Sequence, residues 1–331
     1  DSAMVVGSPH LRPSPMTRVQ PYTARRVAWT LRWALRKLPV DSTRVILTGS
    51  SMGGSGVAFS LFSSAFPVAA ALAMIPRLDY ARRDLRDAPG SSNAFVHFDA
   101  LWGSSQRSPL LTDGTPVYEY LDFAARLQKE DLRALPHLRV ISGVRDTIVG
   151  WKQLHTSIAQ SSSSHAGITF LWDERSHDTH GQYAWTPMED AGSLSRYRGN
   201  RSWPAFSGDE QGGLSNASVG SRSARADWLE PVVDLVESWS VGLRRRPLEM
   251  RDSLARFPEH ITVNVTPRRL QNFIIRRGGW YHAVLSRDGS VLYQYSLRAV
   301  RDGEITIPDV PLTPDPARLE LRPLPGPMLN P

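Results

Sequence analysis

The chain contains no cysteine. Disulfide frameworks and thiolate metal sites are thereby excluded, and the compartment stays open. Lysine is nearly absent as well, occurring only at Lys37, Lys129 and Lys152, so the formal net charge of +7 is carried by arginine. The arginines are scattered and not interleaved with a stacking-aromatic motif. They read as charge on solvated faces, and no nucleic-acid partner is expected. The runs Arg244–Arg246 and Arg268–Arg269 are the local exceptions. No apolar run approaches the roughly 18 residues that a membrane-crossing helix needs. There is no signal-peptide pattern, no convincing internal repeat, and the chain begins at Asp1 rather than Met. A leader on an absent N-terminus would make the protein secreted; nothing in the composition decides it.

What is present falls into two patterns. Up to about Pro187, short apolar runs alternate with helical stretches. The runs are Ala3–Val6, Arg44–Gly49, Val68–Ile75, Leu138–Gly143 and Ile168–Asp173. Between the first two, Val27, Leu31, Leu35 and Leu38 recur at helical spacing within Pro21–Leu38, which predicts a helix with these four on one face. Val117–Gln128 and Trp151–Ser161 are further helix candidates. Such alternation predicts a parallel sheet covered on both faces by helices. From Ser238 onward, short alternating segments separated by Asp288-Gly289 and Asp302-Gly303 turns predict a small all-β sandwich. Gly192–Arg225 is rich in Ser, Gly and Arg and reads as a linker, an insertion or a lid. The expected organisation is an α/β unit over residues 1–190, a linker over 191–230, and a β-sandwich over 231–331.

The segment "RVILTGSSMGGSG" (Arg44–Gly56) places Gly and Ser directly after a predicted strand and before an apolar helix. Gly49-Ser50-Ser51-Met52-Gly53 has the spacing G-x-S-x-G. A sharp strand-to-helix turn needs small residues two positions either side of the nucleophile, where Gly49 and Gly53 stand. Ser51 alone has glycine at both positions; Ser50 and Ser55 do not. The helix N-terminus then aims free N–H groups, that of Met52 among them, at developing negative charge. A serine hydroxyl needs a base, and the base needs an orienting acid. Asp146 lies just beyond one strand end and His177 just beyond the next, at the same sheet edge as Ser51. The order Ser51, Asp146, His177 fits this motif.

On "LTGSSMGGSG", "SGVRDTIVGW" and "WDERSH", residues 1–187 resemble the α/β-hydrolase superfamily, in its esterase and prolyl-oligopeptidase-like branch. The resemblance implies a mostly parallel sheet flanked by helices and hydrolysis of an ester, or less readily a peptide, through an acyl-enzyme. The family's early strands and second oxyanion loop have no counterpart here, so the chain is expected to be truncated at its N-terminus by about three strands. "SPHLRP" (Ser8–Pro13) is the one stretch that could substitute for that loop.

Alternatives accompany each assignment. Asp146 could cap a helix beginning near Val149. Asp173 and Asp178 compete as the acid, and His180 as the base. His177 and His180 with Asp178 could suggest a metal site, but His-x-x-His without a further ligand is weak, and no cofactor or metal is expected. His97 and His137 read as structural. Trp151 and Trp185 are candidates to line the site, with packing as the alternative. Trp280, Tyr281, Tyr293 and Tyr295 could bind carbohydrate. Yet Val291, Tyr293, Tyr295 and Leu297 share the more apolar face of their strand and are expected in the sandwich core. The expected substrate is a small-molecule or carbohydrate-linked ester; the oligomeric state is left open. A serine peptidase and an inactive hydrolase-like binding protein are the competing functions.

Overall fold

In the computed structural model, the described residues are 4–5, 18–63, 67–81, 108–178, 193–211, 220–246 and 259–324. His97, His180, Trp185 and Ser8–Pro13 lie outside them. The first half comprises β1 (Met4–Val5), β2 (Arg18–Gln20), α1 (Tyr22–Lys37), β3 (Ile46–Ser50), α2 (Met52–Ser60), β4 (Ala70–Met74) and β5 (Leu110–Leu111). It continues with α3 (Val117–Tyr120), α4 (Phe123–Lys129), β6 (His137–Gly143), α5 (His155–Ser163) and β7 (Ile168–Asp173). Then follow β8 (Trp203–Ser207), β9 (Glu210–Gln211), β10 (Gly220–Arg222), β11 (Ala226–Asp234) and β12 (Trp239–Arg245). The last strands are β13 (Ile261–Arg268), β14 (Trp280–Arg287), β15 (Ser290–Arg298), β16 (Ile307–Leu312) and β17 (Ala317–Pro323).

The central sheet has the order β3-β4-β6-β7-β10-β9. Its first four strands are parallel, and β10 adds antiparallel to β7. Parallel strands need crossover helices, which α2 and α5 supply. The N-terminal strand departs from expectation. Met4–Val5 pairs with β2 in a small separate sheet with β5, not in the central one.

The covering of the sheet also differs from the expected pair of helical layers. On one face Ala71, Ala73, Leu138, Val140, Ile168 and Phe170 pack with Phe59, Phe123, Leu127 and Ile158 of α2, α4 and α5. On the other face Ala70, Leu72, Ile141 and Leu171 share a cluster with Tyr197, Trp203, Ala205 and the interior of the sandwich. Strands with two apolar faces need burial on both sides, and either kind of layer satisfies that need.

The segment expected as a linker is therefore structural. Within 192–225, β8 joins the three-stranded sheet β16-β13-β8, and β10 extends the central sheet. The opposing sheet has the order β11-β12-β17-β14-β15, all antiparallel. Several arginines brace these layers. Arg268, 2% exposed, donates to the His165 carbonyl, and Arg269 donates to those of Val68 and Ala134. The Arg268–Arg269 run is thus part of the packing.

Two helical and strand faces are rotated from expectation. In α1 the buried residue is Ala28, with Ala24 and Leu31 partly buried against the core, while Val27 and Leu38 are exposed. A strip centred on small Ala28 lets the helix approach closely. In β15 the register against β14 shifts between Leu285 and Ser286, leaving Leu292 as an extra residue. That bulge puts Val291 out of phase with Tyr293, and Val291 is 59% exposed. Tyr295, expected in the core, is 45% exposed, because three strands face five and the outermost strand is only partly covered. Tyr293 is partly buried and donates to the Pro308 carbonyl, and Tyr281 is buried.

Candidate functional site

The strand β3 ends at Ser50 and α2 begins at Met52, so Ser51 carries the whole reversal. Its backbone has φ 54° and ψ −121°, a strained conformation for a residue with a Cβ. Two backbone bonds hold it there, and Ser55 Oγ also donates to the Ser51 carbonyl. The Ser51 N–H donates to the Met74 carbonyl at 2.9 Å, and the Ser51 carbonyl accepts from Ser55 N–H at 3.0 Å.

The flanking glycines divide differently from the simple spacing argument. A Cβ on Gly49 would stand 2.4 Å from the Gly53 carbonyl oxygen, so Gly49 is obligatory. A Cβ on Gly53 would meet nothing within 4 Å; this correction follows from its position on the outer side of the helix. The second close approach belongs to Gly54, whose Cβ would lie 2.7 Å from the Met74 carbonyl oxygen. The double glycine of "MGGSG" was its only signal in the sequence.

The side chains of Ser51, His177 and Asp146 form a continuous relay. Ser51 Oγ is 2.8 Å from His177 Nε2, and His177 Nδ1 is 2.8 Å from Asp146 Oδ2. An ionised carboxylate can only accept, so Nδ1 carries the proton and Nε2 offers its lone pair to the serine. Asp146 is 4% exposed. Its burial is offset because Oδ1 accepts from the N–H groups of Ile148 and Val149, each at 2.9 Å. No helix begins near Val149, the next helical turn starting at Lys152, so Asp146 ties a turn with one oxygen, not a helix end, and meets His177 with the other.

The loops bearing Asp146 and His177 are zipped together. Val144 N–H donates to the Asp173 carbonyl, and Arg145 N–H to that of Arg175. Asp173, the competing acid, is fully buried and bonded by the Arg175 guanidinium at 2.7 and 2.8 Å. Arg77, which carried no signal in an arginine-rich chain, reaches from the loop after β4 to the Val149 carbonyl at 3.0 Å. Burial pushes its guanidinium below the usual range, with Tyr80, Asp79 and Asp146 partly offsetting this. Gln153 clamps the same loop, accepting from the N–H groups of Leu78 and Asp79 and donating to Pro76.

Met52 starts α2, where the first N–H groups have no intrahelical acceptor, and its side chain is 66% exposed. Trp151 is 9% exposed and packs against Trp172 and His155, a core position. His137 is buried against Tyr197. Among the described residues no group of three or more His, Asp or Glu side chains is placed to hold a metal ion, and no helix is long and apolar enough to cross a membrane.

No family model matches the chain, and no curated protein matches it. Among solved structures, it is similar over 55% of its length to dipeptidyl peptidase 4 of Porphyromonas gingivalis, at 16% identity, 25% of that chain and a TM-score of 0.41. It is similar over 52% to FphF, a fluorophosphonate-binding serine hydrolase of Staphylococcus aureus, at 18% identity, 61% of that chain and a TM-score of 0.35. It is similar over 46% to the acylaminoacyl peptidase of Pyrococcus horikoshii, at 15% identity, 23% of that chain and a TM-score of 0.37. The chain spans about a quarter of the length of the two peptidases and under two thirds of that of FphF.

Proposed function

We propose that the chain is a serine hydrolase of α/β-hydrolase type that cleaves a carboxylic ester through an acyl-enzyme. The observation that supports this reading is the relay from Ser51 Oγ through His177 to Asp146, with 2.8 Å at each step. His177 Nε2 takes the Ser51 proton as Oγ attacks the ester carbonyl. Asp146 stabilises the imidazolium. The Met52 N–H faces the oxyanion at the start of α2. Collapse of the tetrahedral intermediate expels the alcohol, which takes the proton from His177 and leaves acyl-Ser51. Water, deprotonated by His177, then releases the acid and restores Ser51.

The test is intact-mass spectrometry after treatment with a fluorophosphonate, on the wild type and on Ser51→Ala. One adduct that is absent in the variant is expected; no adduct on the folded wild type sinks the proposal. Turnover of short p-nitrophenyl esters against aminoacyl p-nitroanilides then separates esterase from peptidase. Preference for the anilides would replace the ester reading.

A further inference from the structure

A sheet edge offers unpaired N–H and C=O groups, and natural proteins guard it with proline, charge, bulges or cover. Three of the four sandwich edges are guarded in these ways. The strand β11 carries Glu230, Pro231 and Asp234, with an irregular register between Leu229 and Val233. In β16, Pro308 and Pro311 flank Asp309, whose φ is 50°. All five residues of β8 are buried.

Among the described residues, the fourth edge, β15, is guarded only at its turn end, by the Leu292 bulge. From Tyr293 to Leu297 it runs regularly against β14, with no proline, glycine or charge. Its inward side chains are Tyr293, Tyr295 and Leu297. The two tyrosine rings stack at 6.4 Å with 15° between planes, and Tyr295 remains 45% exposed.

We propose that this edge pairs with the same edge of a second copy of the chain, antiparallel and two-fold about Tyr295, joining two five-stranded sheets into one of ten. Residue identity argues for a copy as the occupant. In that register Tyr295 faces its own counterpart, Tyr293 faces Leu297, and on the outer side Gln294 faces Ser296. Aromatic pairs, aromatic–aliphatic pairs and amide–hydroxyl pairs all stabilise cross-strand contacts. The single charged residue of the strand, Arg298, falls outside the overlap. Charge makes the edge exceptional on a chain of net +7. Another exposed apolar face, on α1, sets Trp29 and Trp33 among Arg25, Arg26, Arg32, Arg36 and Lys37 with no acid, so like charge opposes a second copy there.

The experiment is light scattering coupled to size exclusion on the wild type, on Tyr295→Lys, on Tyr295→Glu, and on an equimolar mixture of the two variants. Like charges meet across the two-fold in each variant and opposite charges in the mixture. The expected result is a wild-type dimer, two variants shifted to monomer with dissociation constants raised about tenfold, and a dimer from the mixture. A monomeric wild type, dimeric single variants, or a mixture that stays monomeric each overturns the proposal. Hydrogen exchange on the wild type keeps the test independent of variant folding. Amides of 293–297 must gain protection on going from dilute to concentrated protein, and unchanged protection overturns the pairing.

Discussion

His137 provides a sharp test of the layered packing. It is 4% exposed at the start of β6, and its Nδ1 donates to the Gly167 carbonyl at 3.0 Å. Its ring stacks on Tyr197 at 4.4 Å and 3°, and it lines a cavity of about 10 Å³, room for roughly one water. Burial, first, and then the Arg139 and Arg196 cations hold its pKa well below the ordinary value of 6.5. The unfolded chain therefore binds a proton below about pH 6.5 that the folded chain refuses. The stability is fully present above that pH and is lost as pH falls toward the folded-state value. The loss is about 1.4 kcal/mol per pH unit, because each unit of differential protonation carries that free energy. Urea denaturation at pH 7.5 and 5.5 measures it. His137→Phe keeps the stack and removes the titration, so its stability at pH 5.5 should fall by about 1.4 kcal/mol less than that of the wild type. His165, whose pKa is also lowered by burial, contributes equally to both proteins and cancels. Equal losses in wild type and variant would refute the reasoning.

Three further outcomes are expected. Asp146→Asn should slow fluorophosphonate labelling of Ser51 by about four orders of magnitude, because the His177 tautomer is no longer specified; wild-type rates would remove Asp146 from the relay. Gly49→Ala sets a methyl 2.4 Å from a backbone oxygen, so it should cost about 1–3 kcal/mol in a urea melt and abolish labelling, whereas Gly53→Ala should do neither. Arg77→Met removes a charged donor from the Val149 carbonyl and should cost about 1.5–3 kcal/mol, with labelling slowed about tenfold yet still at Ser51. Unchanged labelling kinetics would show that Arg77 does not brace the acid loop.

The relay residues were legible because each sits at a strand end with a local signature. Gly49 and Ser51 stand in a spaced motif, and Asp146 and His177 follow apolar runs directly. Most strands were legible as short apolar or alternating runs, and Asp288-Gly289 and Asp302-Gly303 marked two of their turns. What escaped depends on contacts distant in sequence. Gly53 and Gly54 differ only in which one meets the Met74 carbonyl. Val27 and Ala28 differ only in which one faces the core, and the smaller residue took the closer approach. The Leu292 bulge shifts one residue against β14 and has no local mark. The substitution of a β layer for helices over one sheet face was hidden because Leu72, Ile141 and Leu171 need apolar cover of either kind.

That two-faced cover has a mechanical meaning. The sandwich completes the burial of the very strands whose ends carry Ser51, Asp146 and His177, through the shared cluster of Leu72, Ile141, Trp203 and Val265. The central sheet and the C-terminal strands are therefore expected to melt together. Calorimetry should record one endotherm, and heat inactivation of Ser51 labelling should track the loss of sandwich core packing, as after Leu319→Ala, more than 250 positions along the chain from Ser51. The C-terminal strands act as the keel of the central sheet.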